Sequence, residues 1–149
     1  MSDIQYGPRR PGYYGAYDNK GEVQSRAAMT EAAARELAEK YDVSRLSRNA
    51  YSLLLCELRN AGYITTQDFS AGYGGTLPRG VVLEPFPLGD NEADFVELLR
   101  GYVESCGEFL RLSTGDAAAQ AHTQSLLSTY SRLHGLFKQI HDAAPETAP

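Results

Sequence analysis

Apolar residues recur at helical spacing along most of the chain from residue 30 onward, most regularly in the C-terminal half. Phe95, Leu99, Tyr102, Cys106 and Phe109 follow steps of four, three, four and three, and Val96, Leu98, Val103 and Leu110 widen that stripe. Thr123, Leu126, Tyr130, Leu133, Phe137, Ile140 and Ala144 then keep a seven-residue frame without a slip. Both patterns predict amphipathic helices, because side chains three and four apart share a helix face. Asp90 or Asn91 is the expected cap of the first, which runs to about Leu112. Thr114-Gly115-Asp116 breaks it and caps the second, which runs to about Ala143. Two long helices joined by a few residues fold back on each other, so an antiparallel hairpin with a shallow crossing angle is expected. Gly101 and Gly107 each cost the first helix roughly 1 kcal/mol relative to Ala, and close approach of a neighbouring helix or of the N-terminal segment is one reason to retain them.

The N-terminal half carries three shorter helical patterns. Thr30 caps the first, with Glu31 in its opening turn and Ala34, Leu37, Ala38 and Tyr41 on one face. Ser47 caps the second, whose face is Tyr51, Leu54, Leu55 and Leu58, and Val43 and Leu46 fill the gap between the two. Asn60-Ala61-Gly62 ends the second helix, with Gly62 suited to the left-handed position just past a helix end. After Tyr63-Ile64, Thr65 opens a third helix with Asp68 three residues on, a capping-box arrangement. Residues 70–89 contain five glycines and three prolines and read as a connector. Val81-Val82-Leu83 has the composition of one short strand, but an irregular path that buries Leu83, Phe86 and Leu88 is expected instead.

These patterns predict an all-α fold: three short N-terminal helices and a long antiparallel C-terminal helical hairpin. The domain division is a Tyr/Gly/Pro-rich tail over 1–28, a helical domain over 29–144 (29–75, connector 76–89, hairpin 90–144), and a frayed end over 145–149. Within the tail, Tyr6, Tyr13, Tyr14 and Tyr17 interleave with Arg9 and Arg10. That mixture suits stacking on nucleobases or docking as an arm on a partner subunit, against the plainer reading of a terminus that is free or lies on its own domain.

The 149 residues are 42% hydrophobic and 22% charged, which excludes a fully disordered or fibrous chain. The longest apolar run, Leu53 to Cys56, is far short of the roughly 18 residues of a membrane helix. The opening residues also lack the pattern of a secretory signal, so a cytoplasmic location is expected. The net charge is −5, with +1 over residues 1–29, −1 over 30–75 and −5 over 76–149. No segment holds the basic patch that phosphate binding needs, so nucleic acid is not an expected partner. Cys56 and Cys106 sit among apolar residues away from any CxxC pair and read as small hydrophobes.

Residues 54–69 resemble an EF-hand in outline, with Glu57 first, Gly62 sixth, Ile64 eighth and Asp68 twelfth in the loop. The ligand positions fail, since the third and fifth are Arg59 and Ala61, so the stretch reads as a helix–Gly-turn–helix corner. Its L-x-x-E-L-x-x-A-G-x-I-T pattern is similar to short motifs in small uncharacterised bacterial helical proteins, a resemblance that implies no activity. Leu53 to Ile64 also resembles the helix that ends in a Gly-Tyr-Ile turn before the wing of bacterial winged-helix repressors. That resemblance implies phosphate contacts from Arg45, Arg48 and Arg59 and a wing over residues 74–82. Against it, the helix is mostly apolar and Pro78 interrupts the first wing strand.

His122, His134 and His141 are spaced by 12 and 7 on one helix, too far apart for a helical metal pair, so no metal or cofactor is expected. Glu97, Glu104 and Glu108 read as a solvated face, alternatively as a docking surface for a basic partner. Gly72-Tyr73-Gly74-Gly75 lacks the Lys-Ser/Thr of a phosphate loop, and no nucleophile elbow or triad order is present. The expectation is therefore a non-enzymatic bacterial interaction module, an adaptor or chaperone-like protein that self-associates as a homodimer. Its expected interaction surface is the stripe Leu126, Tyr130, Leu133, Phe137 and Ile140. The alternative is a winged-helix-like DNA-binding regulator.

Overall fold

In the computed structural model, which describes residues 25–73, 81, 83–112 and 115–145, each helix opens on a capping side chain. α1 (Glu31–Lys40) is capped by Thr30, whose hydroxyl accepts from Ala33 N, and α2 (Arg48–Asn60) by Ser47, which accepts from Ala50 N. α3 (Thr66–Gly72) has the full capping box: Thr65 Oγ1 accepts from Asp68 N and Asp68 Oδ2 accepts from Thr65 N, both at 2.9 Å. α5 (Ala117–Ala143) starts at Asp116, as expected. α4 (Phe95–Leu112) starts later than expected: its opening amides, Val96 N and Glu97 N, donate to Asp94. The physical reason is that Glu92–Ala93 (β2) is extended and pairs antiparallel with Leu46–Ser47 (β1), a two-residue bridge that the sequence pattern did not predict.

α2 ends as its sequence requires. Gly62 has φ +84°, Gly62 N donates to Arg59 O and Tyr63 N to Leu58 O, both at 2.9 Å. That pair of bonds is the Schellman motif, and only glycine enters this backbone region without strain.

The core forms where α2, α4 and α5 meet. Tyr51 stacks on Phe95 with centroids 4.5 Å apart, Phe86 meets Tyr51 edge-on at 5.1 Å, and Tyr102 meets Tyr130 edge-on at 5.1 Å. Rings this close favour such tilted and offset arrangements because their quadrupoles repel face to face. Each of these tyrosines also ties down backbone: the Tyr51 hydroxyl donates to Gly72 O at 2.8 Å, Tyr102 to Glu84 O, and Tyr130 to Ala71 O at 3.4 Å. The core thus holds both the end of α3 and the connector. Burial raises the pKa of all three phenols, that of Tyr130 to about 12.

Several expectations change. Leu126, Tyr130, Leu133, Phe137 and Ile140 are all buried inside the single chain, at 2% exposure or less. The stripe is covered by α4, α1 and α3 of the same chain, so these five residues do not form the exposed interaction surface expected of them. Leu88 is 71% exposed rather than buried, whereas Leu83 and Phe86 pack on the core. Cys106 is buried but Cys56 is half-buried. A Cβ at Gly101 or Gly107 would meet nothing within 4 Å, so neither glycine marks a close approach. Residues 25–28 of the expected tail lie across the domain, with Ala27 N donating to Gly62 O at 2.8 Å. The expected wing lies outside the described residues except for Val81, and the four interleaved tyrosines lie outside them as well.

Candidate functional site

A group of interlocked polar side chains lies where residues 25–30 cross between α5 and the corner joining α2 to α3. Asp68 is at its centre, 3% exposed. Arg26 meets it as a fork, Nη2 to Oδ1 at 2.6 Å and Nε to Oδ2 at 2.8 Å. Thr129 Oγ1 donates to Oδ1 at 2.8 Å, and Thr65 N donates to Oδ2 at 2.9 Å. Each carboxylate oxygen therefore accepts two hydrogen bonds, the full capacity of an ionised carboxylate. Burial alone would raise the Asp68 pKa, but the bonds from Arg26, Thr65 and Thr129 outweigh it and hold the pKa below the ordinary range. The same pairing raises the Arg26 pKa.

The backbone of residues 25–30 is held as firmly as the Arg26 side chain. Ala27 N donates to Gly62 O at 2.8 Å. Arg132 donates from Nη2 to Ala27 O and from Nε to Tyr63 O, the latter at 2.9 Å. Gln139 Nε2 donates to Met29 O at 2.9 Å, and the Met29 side chain is buried at 7% exposure. Arg26 also donates from Nη1 to Ser128 Oγ at 3.0 Å. Burial lowers the Arg132 pKa, and the neighbouring Arg26 cation adds to that effect. The segment ends at Thr30, in extended conformation at φ −76° and ψ 161°. An open hollow of about 330 Å³ flanks the Arg26–Asp68 pair, lined further by Gln67 and Ser125.

These groups have the chemistry of a holder for an extended peptide. Amide and guanidinium donors meet the carbonyls of residues 27 and 29, a carbonyl acceptor meets the amide of residue 27, a carboxylate meets the basic side chain, and an apolar socket takes the methionine. Asp68 is ionised and fully hydrogen-bonded, so in this arrangement it is an anchor.

No family model matches this chain, and neither a curated protein nor a solved structure does.

The three arginines with implied phosphate contacts are not brought together. Arg45 faces Glu92 at 3.5 Å, Arg48 is exposed in the first turn of α2, and Arg59 lies over the Phe69 ring at 4.7 Å. Eleven residues of helix separate Arg48 from Arg59, roughly 16 Å along the axis. The face of α2 that resembled a recognition helix buries Tyr51, Leu54, Leu55 and Leu58 in the core. Glu97, Glu104 and Glu108 are paired along α4 with Arg100 and Arg111. Among the described residues no three His, Cys, Asp or Glu side chains cluster as a metal site would require.

Sequence reasoning placed Asp68 correctly in the capping box with Thr65 but missed its bonds to Arg26 and Thr129. Arg26, Ser128, Thr129, Arg132 and Gln139 were passed over entirely. One signal was present: Ser125, Ser128, Thr129 and Arg132 form a polar strip beside the apolar stripe of α5, at spacings of three and four.

Proposed function

We propose that this chain is a non-enzymatic, cytosolic interaction module, with α4 and α5 as an antiparallel helical hairpin, that works by holding an extended peptide segment between α5 and the α2–α3 corner. The observation that carries this reading is the way residues 25–30 are bound. Main-chain atoms of Ala27 and Met29 are met by Gly62, Arg132 and Gln139, and side-chain anchors sit at Arg26 and Met29. Recognition through backbone groups with side-chain anchors is a general mode of capturing extended peptides. The ionisable groups nearby support a binding role over a chemical one, since Asp68 is saturated by its partners. No described helix is long and apolar enough to cross a membrane.

The test is a binding titration. A fluorescent peptide of residues 23–31 is added to the full chain carrying Arg26→Glu, whose own segment is repelled by Asp68. Saturable binding, lost when Asp68→Lys is added, is expected. Absence of binding to the folded variant would overturn the reading.

A further inference from the structure

We propose that residues 25–42 form an autoinhibitory strap, which lets go of a body made of α2 to α5 as one unit and thereby frees the groove; this rests on the capture reading above. The strap is the segment 25–30, α1 and the two residues that follow it. It brings three buried apolar side chains to the core, Met29, Ala34 and Leu37. By contrast, the six rings that pack through the core, Tyr51, Phe86, Phe95, Tyr102, Tyr130 and Phe137, belong to α2, the connector, α4 and α5. Hydrophobic stabilisation scales with the apolar area removed from water, so most of it lies in the body.

The other attachments of the strap are polar and sit at its rim. The Arg26 side chain is a third exposed, and that of Lys40, bonded to Glu57 at 2.6 Å, is about half exposed. Water replaces bonds of this kind on release, so each adds little net free energy. Asp68 keeps part of its environment when Arg26 leaves, because Thr65 N and Thr129 Oγ1 still donate to it. α1 has ten residues, fewer than the roughly 12–15 at which an isolated helix holds in water, so it is helical only while it rests on α5.

Release has a built-in stop. Val43 is buried and its carbonyl accepts from Phe95 N at 3.0 Å, and Leu46–Ser47 then pairs with Glu92–Ala93. The chain is therefore fixed to the body from residue 43 onward, and the path swings at Tyr41 and Asp42, with Tyr41 in ordinary extended conformation at φ −134° and ψ 129°. What the strap covers is the groove itself. Its own carbonyls and amide already occupy Arg132, Gln139 and Gly62. A competing peptide gains those partners only when the strap leaves, and the tethered strap competes at the high effective concentration of an intramolecular ligand.

Amide hydrogen exchange of the full-length protein, followed by NMR, is the test. Relative to their unfolded rates, the amides of Ala27, Ala38 and Lys40 are expected to exchange about a hundredfold faster than those of Leu99 and Leu133. Tyr51→Phe weakens the body alone, so it should speed Leu99 and Leu133 about tenfold and leave the three strap amides unchanged. Arg26→Ala should speed the strap amides about tenfold or more, and Arg26→Lys, should the alanine variant not fold, by a smaller factor at the same amides. Strap and body amides that share one protection and respond together to Tyr51→Phe overturn the proposal, because the chain then opens only as a whole. Titration with the peptide of residues 23–31 completes the test. Binding about tenfold tighter to Arg26→Ala than to the wild type is expected, and equal affinity overturns the autoinhibition. Binding to neither chain overturns the capture reading, while the exchange pattern still decides whether the strap opens on its own.

Discussion

Arg26 and Asp68, 42 residues apart, form a two-point fork in which both carboxylate oxygens and two guanidinium nitrogens are engaged. The carboxylate is almost wholly buried while the guanidinium is a third exposed, so the two partners are not equivalent. Removing the arginine leaves a buried anion with two hydrogen bonds instead of four. Arg26→Ala is expected to destabilise by about 2 kcal/mol, discounted for the exposure of the arginine. Arg26→Lys, which keeps the charge but not the planar fork, should cost about 1 kcal/mol. Urea denaturation of the three proteins checks the order.

The same carboxylate sets an acid limit. Burial opposes its ionised form, but its hydrogen bonds prevail, so its folded pKa lies below the unfolded value near ~3.9. Between those two values the unfolded chain binds more protons, and stability rises with pH. The contribution is complete above about pH 5 and is lost as pH falls through the folded value. Glu57 acts in the same sense: burial opposes its charge, while bonds from Lys40 and Tyr41 lower its pKa on balance. Denaturation midpoints measured down the acid range should fall less steeply for Asp68→Asn than for the wild type.

The tyrosine hydroxyls should rank by geometry. Tyr51 is fully buried and its bond to Gly72 O is 2.8 Å, so Tyr51→Phe strands a carbonyl and should cost about 1–2 kcal/mol. The Tyr130 bond to Ala71 O is 3.4 Å, and Tyr130→Phe should cost about 0.5 kcal/mol or less. Equal losses from the two substitutions would contradict the ranking.

The buried stripe and the outer faces should respond oppositely. Leu133 has no exposure, and Leu133→Ala should cost about 3 kcal/mol through lost burial and the cavity left behind. Leu53 is 60% exposed on α2, so Leu53→Ser should change stability by less than about 0.5 kcal/mol. Thermal unfolding compared with sedimentation separates the cases: Leu133→Ala should lower the melting temperature without acting through a subunit interface.

Gly72 packs beneath the core tyrosine. A Cβ there would stand 3.0 Å from Leu133 Cδ1 and 3.4 Å from the Tyr51 hydroxyl. Gly72→Val should therefore cost about 2 kcal/mol by overpacking, whereas Gly101→Ala, with open space around it, should stabilise α4 by about 0.5–1 kcal/mol. Chemical denaturation of both variants measures the contrast.

Local chemistry alone specified the caps at Thr30, Ser47, Thr65 and Asp116, the left-handed turn at Gly62, and the apolar faces of α2 and α5. Each of these depends on residues within about one or two turns of one another, and such relations are written directly in the spacing of the chain. Three things were decided only in three dimensions: the late start of α4, the burial of the α5 stripe within one chain, and the site at residues 25–30. The β1–β2 bridge joins positions 46–47 to 92–93, and the Arg26–Asp68–Thr129 cluster joins an irregular N-terminal segment to α3 and α5. An apolar stripe states that it must be covered but not by what, and an arginine in an irregular segment carries no mark of the carboxylate it will meet. Those partners are selected when distant segments compete for the same low-dielectric space, where an unpaired charge or an uncovered face costs more free energy than any local preference can supply.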